Sequence, residues 1–96
     1  MIFYLMNAEE WDARGRESTV AVPESGGFVH CCAEHQIGFV RESYFPPESP
    51  IVALGIDPTA LVSETCYELG SAGEPERFPH VYGSIQRRDV LEVRVL

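Results

Sequence analysis

Gly26-Gly27-Phe28-Val29-His30-Cys31-Cys32 is the stretch around which the chain reads as organised. Two glycines release the backbone into a turn, and Phe28 to Cys31 reads as a buried strand that delivers an imidazole and two thiols together. Groups at the end of a strand are held firmly, which makes this a sound place for a site. Downstream, Ala33, Ile37, Val40 and Tyr44 recur at spacings of four, three and four, which is one face of a helix and the clearest helical signal in the chain. Phe45-Pro46-Pro47 ends it, and Glu48-Ser49-Pro50 continues as loop. Upstream, Glu24 to Gly27 is a turn, and Ser18 to Val22 is a weak strand stopped by Pro23.

Ile2 to Leu5 is apolar without polar alternation and reads as a central strand. Asn7 stands in the N-cap position of a short helix, with Glu10 three residues on in a capping-box arrangement, Trp11 packing it onto the sheet and Gly15 ending it. Ile51 to Ile56 is an unbroken apolar run between prolines and reads as a buried strand. Asp57 and Pro58 then cap and open a single helical turn reaching Leu61. Thr65 to Leu69 is a further strand, and Gly70 to Arg77 is the most loop-like stretch, with a tip expected to be mobile. Phe78-Pro79-His80-Val81-Tyr82-Gly83 reads as a second aromatic and histidine cluster set between loops. Leu91 to Val95 alternates strictly and closes the chain as a half-buried strand. Five or six short strands with one main helix and one or two short ones define an α+β class, helices packed on a mixed or antiparallel sheet.

The 96 residues suit one domain, residues 1–96, with a modest core. No apolar run approaches the ~20 residues of a membrane helix. Met1 to Met6 has no basic residue before it and no cleavage pattern after it, so the expected setting is cytoplasmic, without membrane association. The net charge is −8, and the chain has no lysine, which excludes Schiff-base and lysine-nucleophile mechanisms. Only Arg87-Arg88 forms a basic pair, so no nucleic-acid partner is expected. A small anionic ligand met by an arginine is compatible with this balance. The three cysteines, Cys31, Cys32 and Cys66, are an odd number, and neighbours on a strand point to opposite faces, so reduced thiols are expected.

Three chemistries compete for these residues. His30, Cys31, Cys32, His35, Cys66 and His80 offer nitrogen and sulfur donors, but no Cys-x-x-Cys or His-x-x-x-His spacing is present, so no metal site is assigned. A cysteine nucleophile is the second, Cys31 or Cys32 activated by His30, His35 or His80, with Cys32 at the expected start of the main helix, where the helix dipole lowers a thiol's pKa. The third is a small-molecule pocket in which His30, His80, Tyr82 and Tyr4 supply walls and polar tips with Glu68 as the carboxylate. A plain packing role, aromatics in the core and histidines hydrogen-bonded within it, stands beside that third reading.

The succession of an aromatic first strand leading to Glu10-Trp11, then Gly27-Phe28-Val29-His30-Cys31, Ile56-Asp57-Pro58, Tyr67-Glu68 and Phe78-Pro79-His80-Val81-Tyr82-Gly83 resembles the bacterial domain of unknown function family 952. The likeness covers nearly the whole chain and keeps the motif order. It implies an ADP-ribosyltransferase-like fold, two packed sheets enclosing an NAD-binding cleft. It further implies NAD or a related nucleotide as ligand, with His30, His80 and Glu68 as candidate catalytic residues and Tyr4, Phe28 and Tyr82 as candidate ligand-binding residues. Two departures set the alternative. Members of the family usually carry a histidine where this chain has Tyr4, and favour Ser or Thr where it has Cys32 and Ala33. A non-enzymatic binding or interaction module with a degenerate site is the competing expectation.

Overall fold

Ile51-Val52-Ala53-Leu54-Gly55-Ile56, buried at all six positions, is the axis of the fold. In a computed structural model describing residues 1–14, 18–24, 26–70 and 75–96, the order is β1 (Ile2–Asn7), α1 (Ala8–Arg14), β2 (Thr19–Ala21), β3 (Val29–His30), β4 (Cys32–Ala33), α2 (Ile37–Tyr44), β5 (Ile51–Ile56), β6 (Thr65–Leu69), β7 (Arg77–Val81), β8 (Ile85–Gln86) and β9 (Val90–Val95). Short 3₁₀ turns lie at Glu34–Gln36, Pro58–Ala60 and Arg87–Asp89. β5 pairs with β1 on one side and β9 on the other, in a sheet ordered β4-β1-β5-β9.

Both faces of this sheet are covered, which is why β1 and β5 are apolar without alternation. Ile2, Met6, Val52, Leu54 and Ile56 point into one core, completed by Val20, Val29, Val81 and Ile85 from two smaller sheets and by Trp11. Phe3, Leu5, Ile51 and Ala53 point the other way, onto Cys32 and Phe78 with Ile37 and Val40 of α2. The smaller sheets are β2-β8 and β3-β7-β6. Every strand pair is antiparallel, and the α+β class with one main helix is as expected. The sheets divide into three instead of two. Ile85-Gln86, too short to carry a strand pattern, pairs with β2 and buries Ile85 completely.

Asn7 and Asp57 cap as read, while the reciprocal bond from Glu10 that a capping box needs is not among the hydrogen bonds of the described residues. Asn7 Oδ1 accepts from the N–H groups of Glu9 and Glu10 at 2.8 and 3.3 Å, and Asp57 Oδ1 accepts from the Thr59 N–H and hydroxyl at 3.0 and 2.7 Å. The expected stop at Gly15 lies outside the described residues. So does the tip of the expected 70–77 loop, residues 71–74.

Three expectations are corrected. The main helix starts at Ile37, not near Ala33: Ala33 pairs with Ile2 in β4, and Tyr44 is exposed while Ile37 and Val40 pack. Cys32 therefore sits in a strand and not at a helix start, and burial pushes its thiol up to about 12 instead of lowering it. Phe78 to Val81 is no loop cluster but belongs to β7, the central strand of its sheet. Pro79 is tolerated there because its carbonyl, and hence its missing N–H, faces the point where the neighbouring strand leaves. That carbonyl accepts from the Cys31 N–H at 3.1 Å, and no further rung is lost.

The strand expected over Phe28 to Cys31 is also broken in two. Val29 and His30 pair with β7, the chain steps across at Cys31, and Cys32 and Ala33 pair with β1. One short segment thus bridges two sheets. The turn before it is as expected at the described positions: Gly27 donates its N–H to the Glu24 carbonyl at 2.8 Å and holds φ at +84°, a region that favours glycine. Ser25 lies outside the described residues. No helix among the described residues is long and apolar enough to cross a membrane.

Candidate functional site

Because β4 is two residues long, it covers only Ile2 and Phe3 of β1. Beyond Phe3, the edge of β1 opposite β5 has no strand partner among the described residues, since the chain has crossed to β7. The two strands splay apart, and a cavity of ≈ 590 Å³ opens in the split, within the size range of small-molecule sites. Tyr4 to Asn7 form one wall and His30 to Cys32 with His80 the other. Val40 and Tyr44 of α2 and the loop residues Phe45, Pro46 and Ser49 close a third side. That loop is fixed by Arg41, whose guanidinium donates to the carbonyls of Pro46, Pro47 and Ser49 at 3.0, 3.1 and 2.7 Å.

The β3–β7 register places His30 directly opposite His80, so both imidazoles leave the same face. Their centroids are 5.3 Å apart at 73°. Phe28, two residues before His30 and on that same face, stacks on His80 at 4.0 Å and 14°. Tyr82 tilts against Phe28 at 5.3 Å. Glu68 reaches this face from β6, where Cys66 is the residue opposite His80. Glu68 Oε1 bonds His80 Nδ1 at 2.8 Å and accepts from the Tyr82 hydroxyl at 2.6 Å.

Five of the six candidate residues therefore form one contact group, and Tyr4 faces two of them across the cavity. The cavity wall takes in Tyr4, His30 and His80; Phe28, Glu68 and Tyr82 stand beside it as supports. The Tyr82 hydroxyl, then the His80 ring, hold the Glu68 carboxyl below the ordinary carboxylate range. The same contact pushes Tyr82 up to about 12. Glu68 thus accepts as a carboxylate, and His80 Nδ1 donates to it. His80 is 4% exposed and His30 about half exposed, so one imidazole is locked and the other free to meet a ligand. Burial raises the Tyr4 phenol, and Glu24 and Cys31 add to it, so Tyr4 presents a neutral hydroxyl.

Sequence reasoning missed the carboxylates Glu10 and Glu24 and the amide of Asn7, all on the cavity wall. Glu24 approaches His30 Nε2 at 3.7 Å. No spacing rule marks a turn carboxylate that reaches a strand end six residues on; Asn7 had been read only as a cap. Cys31 and Cys32 also line the cavity, but burial holds both thiols protonated.

The fold and site define an α+β domain whose cleft lies in the split between two antiparallel strands, with a carboxylate-anchored histidine at its wall. The chain belongs to the family described as "Protein of unknown function (DUF952)", whose profile matches residues 5–93. Protein CC0527 from Caulobacter crescentus, in its X-ray crystal structure, is similar to this chain at a TM-score of 0.75 and 28% identity, covering 99% of this chain and 84% of that one. A double mutant of that protein matches at the same TM-score and coverage with 26% identity. Among curated proteins, none matches the chain.

Proposed function

We propose that this domain binds NAD or a related nucleotide by its nicotinamide end, in the manner of an ADP-ribosyltransferase-like protein. The observation that carries the reading is the split between β1 and β3, with His30 and His80 opening into one cavity and His80 anchored from behind by Glu68. Tyr4, Tyr44 and Phe45 offer aromatic surface for a planar ring, and the uncovered edge of β1 offers main-chain groups for a carboxamide. The oxidised nicotinamide ring is cationic, and Glu10 and Glu24 give this wall the matching sign.

Transfer in such a site begins as the bond between the ribose C1′ and the ring nitrogen breaks. Nicotinamide leaves neutral with the bonding pair, and the positive charge passes to the ribose as an oxocarbenium ion, which the Glu24 carboxylate stabilises. The acceptor's nucleophilic atom then bonds C1′ and gives its proton to His80 Nε2. Glu68 acts through His80, fixing its tautomer and ring plane, with Phe28 and Tyr82 bracing the pair. Calorimetric and NMR titration with NAD and with nicotinamide test the reading. Binding that weakens roughly tenfold in His30→Ala, the loss of about one hydrogen bond, is expected. No heat and no shifted resonance at millimolar ligand would overturn it.

One observation favours a second reading, a non-enzymatic module. A single oxygen of Glu68 takes both the Tyr82 hydroxyl and His80 Nδ1 while Phe28 stacks on the ring, which is how a purely structural histidine is satisfied. Tyr4 and Cys32, where the family resemblance leads one to expect histidine and a hydroxyl, agree with it. In that case His80→Ala lowers stability and no nucleotide binds parent or variant.

A further inference from the structure

We infer that β9 is a homodimer seam, pairing antiparallel with the β9 of a second copy about a two-fold axis through Val93. β9 is an edge strand of the largest sheet. Its residues alternate, with Leu91, Val93 and Val95 61%, 44% and 84% exposed. The Leu96 N–H donates to the Ile51 carbonyl at 3.0 Å, so by the alternation of an antiparallel ladder Glu92 and Arg94 also bond inward to β5, up to the one-residue register shift at Leu91. The main-chain groups of Val93 and Val95 therefore face outward, unpaired by any described strand. Edge strands are ordinarily guarded by lysine, proline or an inward-pointing charge, because such a row is a template for another strand. Val90 to Leu96 contains no lysine and no proline; Glu92 and Arg94 lie on its other face and a register shift marks its start, so the open row with an apolar exposed face is Val93 to Val95.

The occupant is set by the sequence of the strand itself. Val90-Leu91-Glu92-Val93-Arg94-Val95-Leu96 is self-complementary when reversed about Val93. Antiparallel pairing at that register sets Val93 against its own copy, Leu91 against the partner's Val95, and Glu92 against the partner's Arg94. Val93 falls opposite its own copy with its main-chain groups outward, so that central pair exchanges both hydrogen bonds. On one face the exposed apolar side chains meet; on the other, opposite charges meet. Arg94 already bonds Glu92 at 3.2 Å and Glu34 at 3.1 Å within one chain, so the seam extends an existing ion-pair row. A shift by one residue would set outward-facing groups against inward-facing ones, and a shift by two would set Glu92 against its own copy. An isologous contact of this kind closes on itself and yields a dimer, not a fibre.

Sedimentation equilibrium on the full chain, at concentrations up to about 1 mM where weak pairing still registers, tests this together with amide hydrogen exchange. A dimer is expected, with the amides of Val93 and Val95 protected in it. Val93→Lys sets two like charges face to face on the axis and weakens the dimer by roughly 100-fold or more, and because Val93 is an exposed edge residue the melting temperature of the monomer should hold. E92R and R94E each set like charges across the seam and weaken it, whereas mixing the two variants restores a dimer composed of one of each. A monomeric parent, a dimer indifferent to Val93→Lys, or a mixture that stays monomeric would each overturn the proposal.

Discussion

Replacing His80 with alanine measures how firmly this residue of the cavity wall is anchored. The ring is 4% exposed and lies flat on Phe28 at 4.0 Å, so the variant loses an aromatic stack worth ~0.5–1.5 kcal/mol. Truncating a buried ring in the centre of a sheet adds on the order of 1 kcal/mol or more, moderated because the void joins an open cavity. The bond to Glu68 adds little to this, since that carboxylate is solvated and regains water when the ring is removed. The total is roughly 2–3 kcal/mol, which for a domain of this size lowers the melting temperature by about 10–20 °C. His30→Ala removes a half-exposed ring and should cost under ~1 kcal/mol. Thermal melts followed by circular dichroism, with parent and both variants side by side, measure the contrast. His80→Asn, whose amide can donate to Glu68 in place of Nδ1, should fall between parent and alanine. A His80→Ala variant that melts with the parent would refute the claim that His80 is a packed anchor. His30→Ala melting as low as His80→Ala would refute the division of labour between them.

Three further outcomes follow from the geometry. At pH 8 burial leaves Cys32 with a thiolate fraction of about 10⁻⁴, and Cys31, pushed further up, with less, so alkylation of the native protein should be slow at both and become fast only on unfolding; prompt labelling of either would contradict their burial. Glu68 is held below its ordinary pKa, so the unfolded chain takes up the proton first: its stabilisation is present above about pH 4.3 and is lost as pH falls through the folded value. Melting temperature should therefore drop more between pH 6 and pH 3 in the parent than in Glu68→Gln, and parallel curves would exclude the effect. Gly27→Ala has open space for its methyl but must hold φ at +84°, which costs about 1 kcal/mol; a melt unchanged within ~1 °C would mean the turn relaxes freely.

The elements legible in the sequence are those whose signal is local. The apolar runs at Ile2 and Ile51, the caps at Asn7 and Asp57 and the alternation at Leu91 to Val95 each depend on a few neighbouring residues, and each stands where it was expected. What was not legible depends on partners far along the chain. A proline disguised β7 as loop, because only the departure of the chain at Cys31 makes an N–H superfluous at Pro79. The helix period was read back to Ala33, but Ile2 claims that residue for a strand, and Gln36 ties the junction by accepting from the Ala33 N–H at 2.8 Å and donating to the Arg77 carbonyl at 2.9 Å. The six candidate residues stand out in the sequence because histidine, tyrosine and carboxylate identities, with an aromatic beside them, carry chemistry whatever the fold. Their division into wall and support, and the added carboxylates Glu10 and Glu24, needed the register.

The step at Cys31 links fold to site. A strand of five continuous residues from Val29 to Ala33, paired with β1 along one edge and with β7 along the other, would join the two in one sheet and leave no gap between them. By giving two residues to each, the chain buries Val29 and Cys31 in one core and Cys32 in the other, and so the departure is held from both sides. The split it leaves between β1 and β3 is therefore a gap bounded by packed strands. Such a gap preorganises whatever its walls carry. The wall residues here are one imidazole locked by a carboxylate, one that is free, and a neutral phenol opposite. A packing role alone accounts for the locked imidazole. It does not account for an exposed histidine aligned on the same face and drawn to within 3.7 Å of a turn carboxylate at the mouth of the gap, which is why the ligand-binding reading is the stronger of the two.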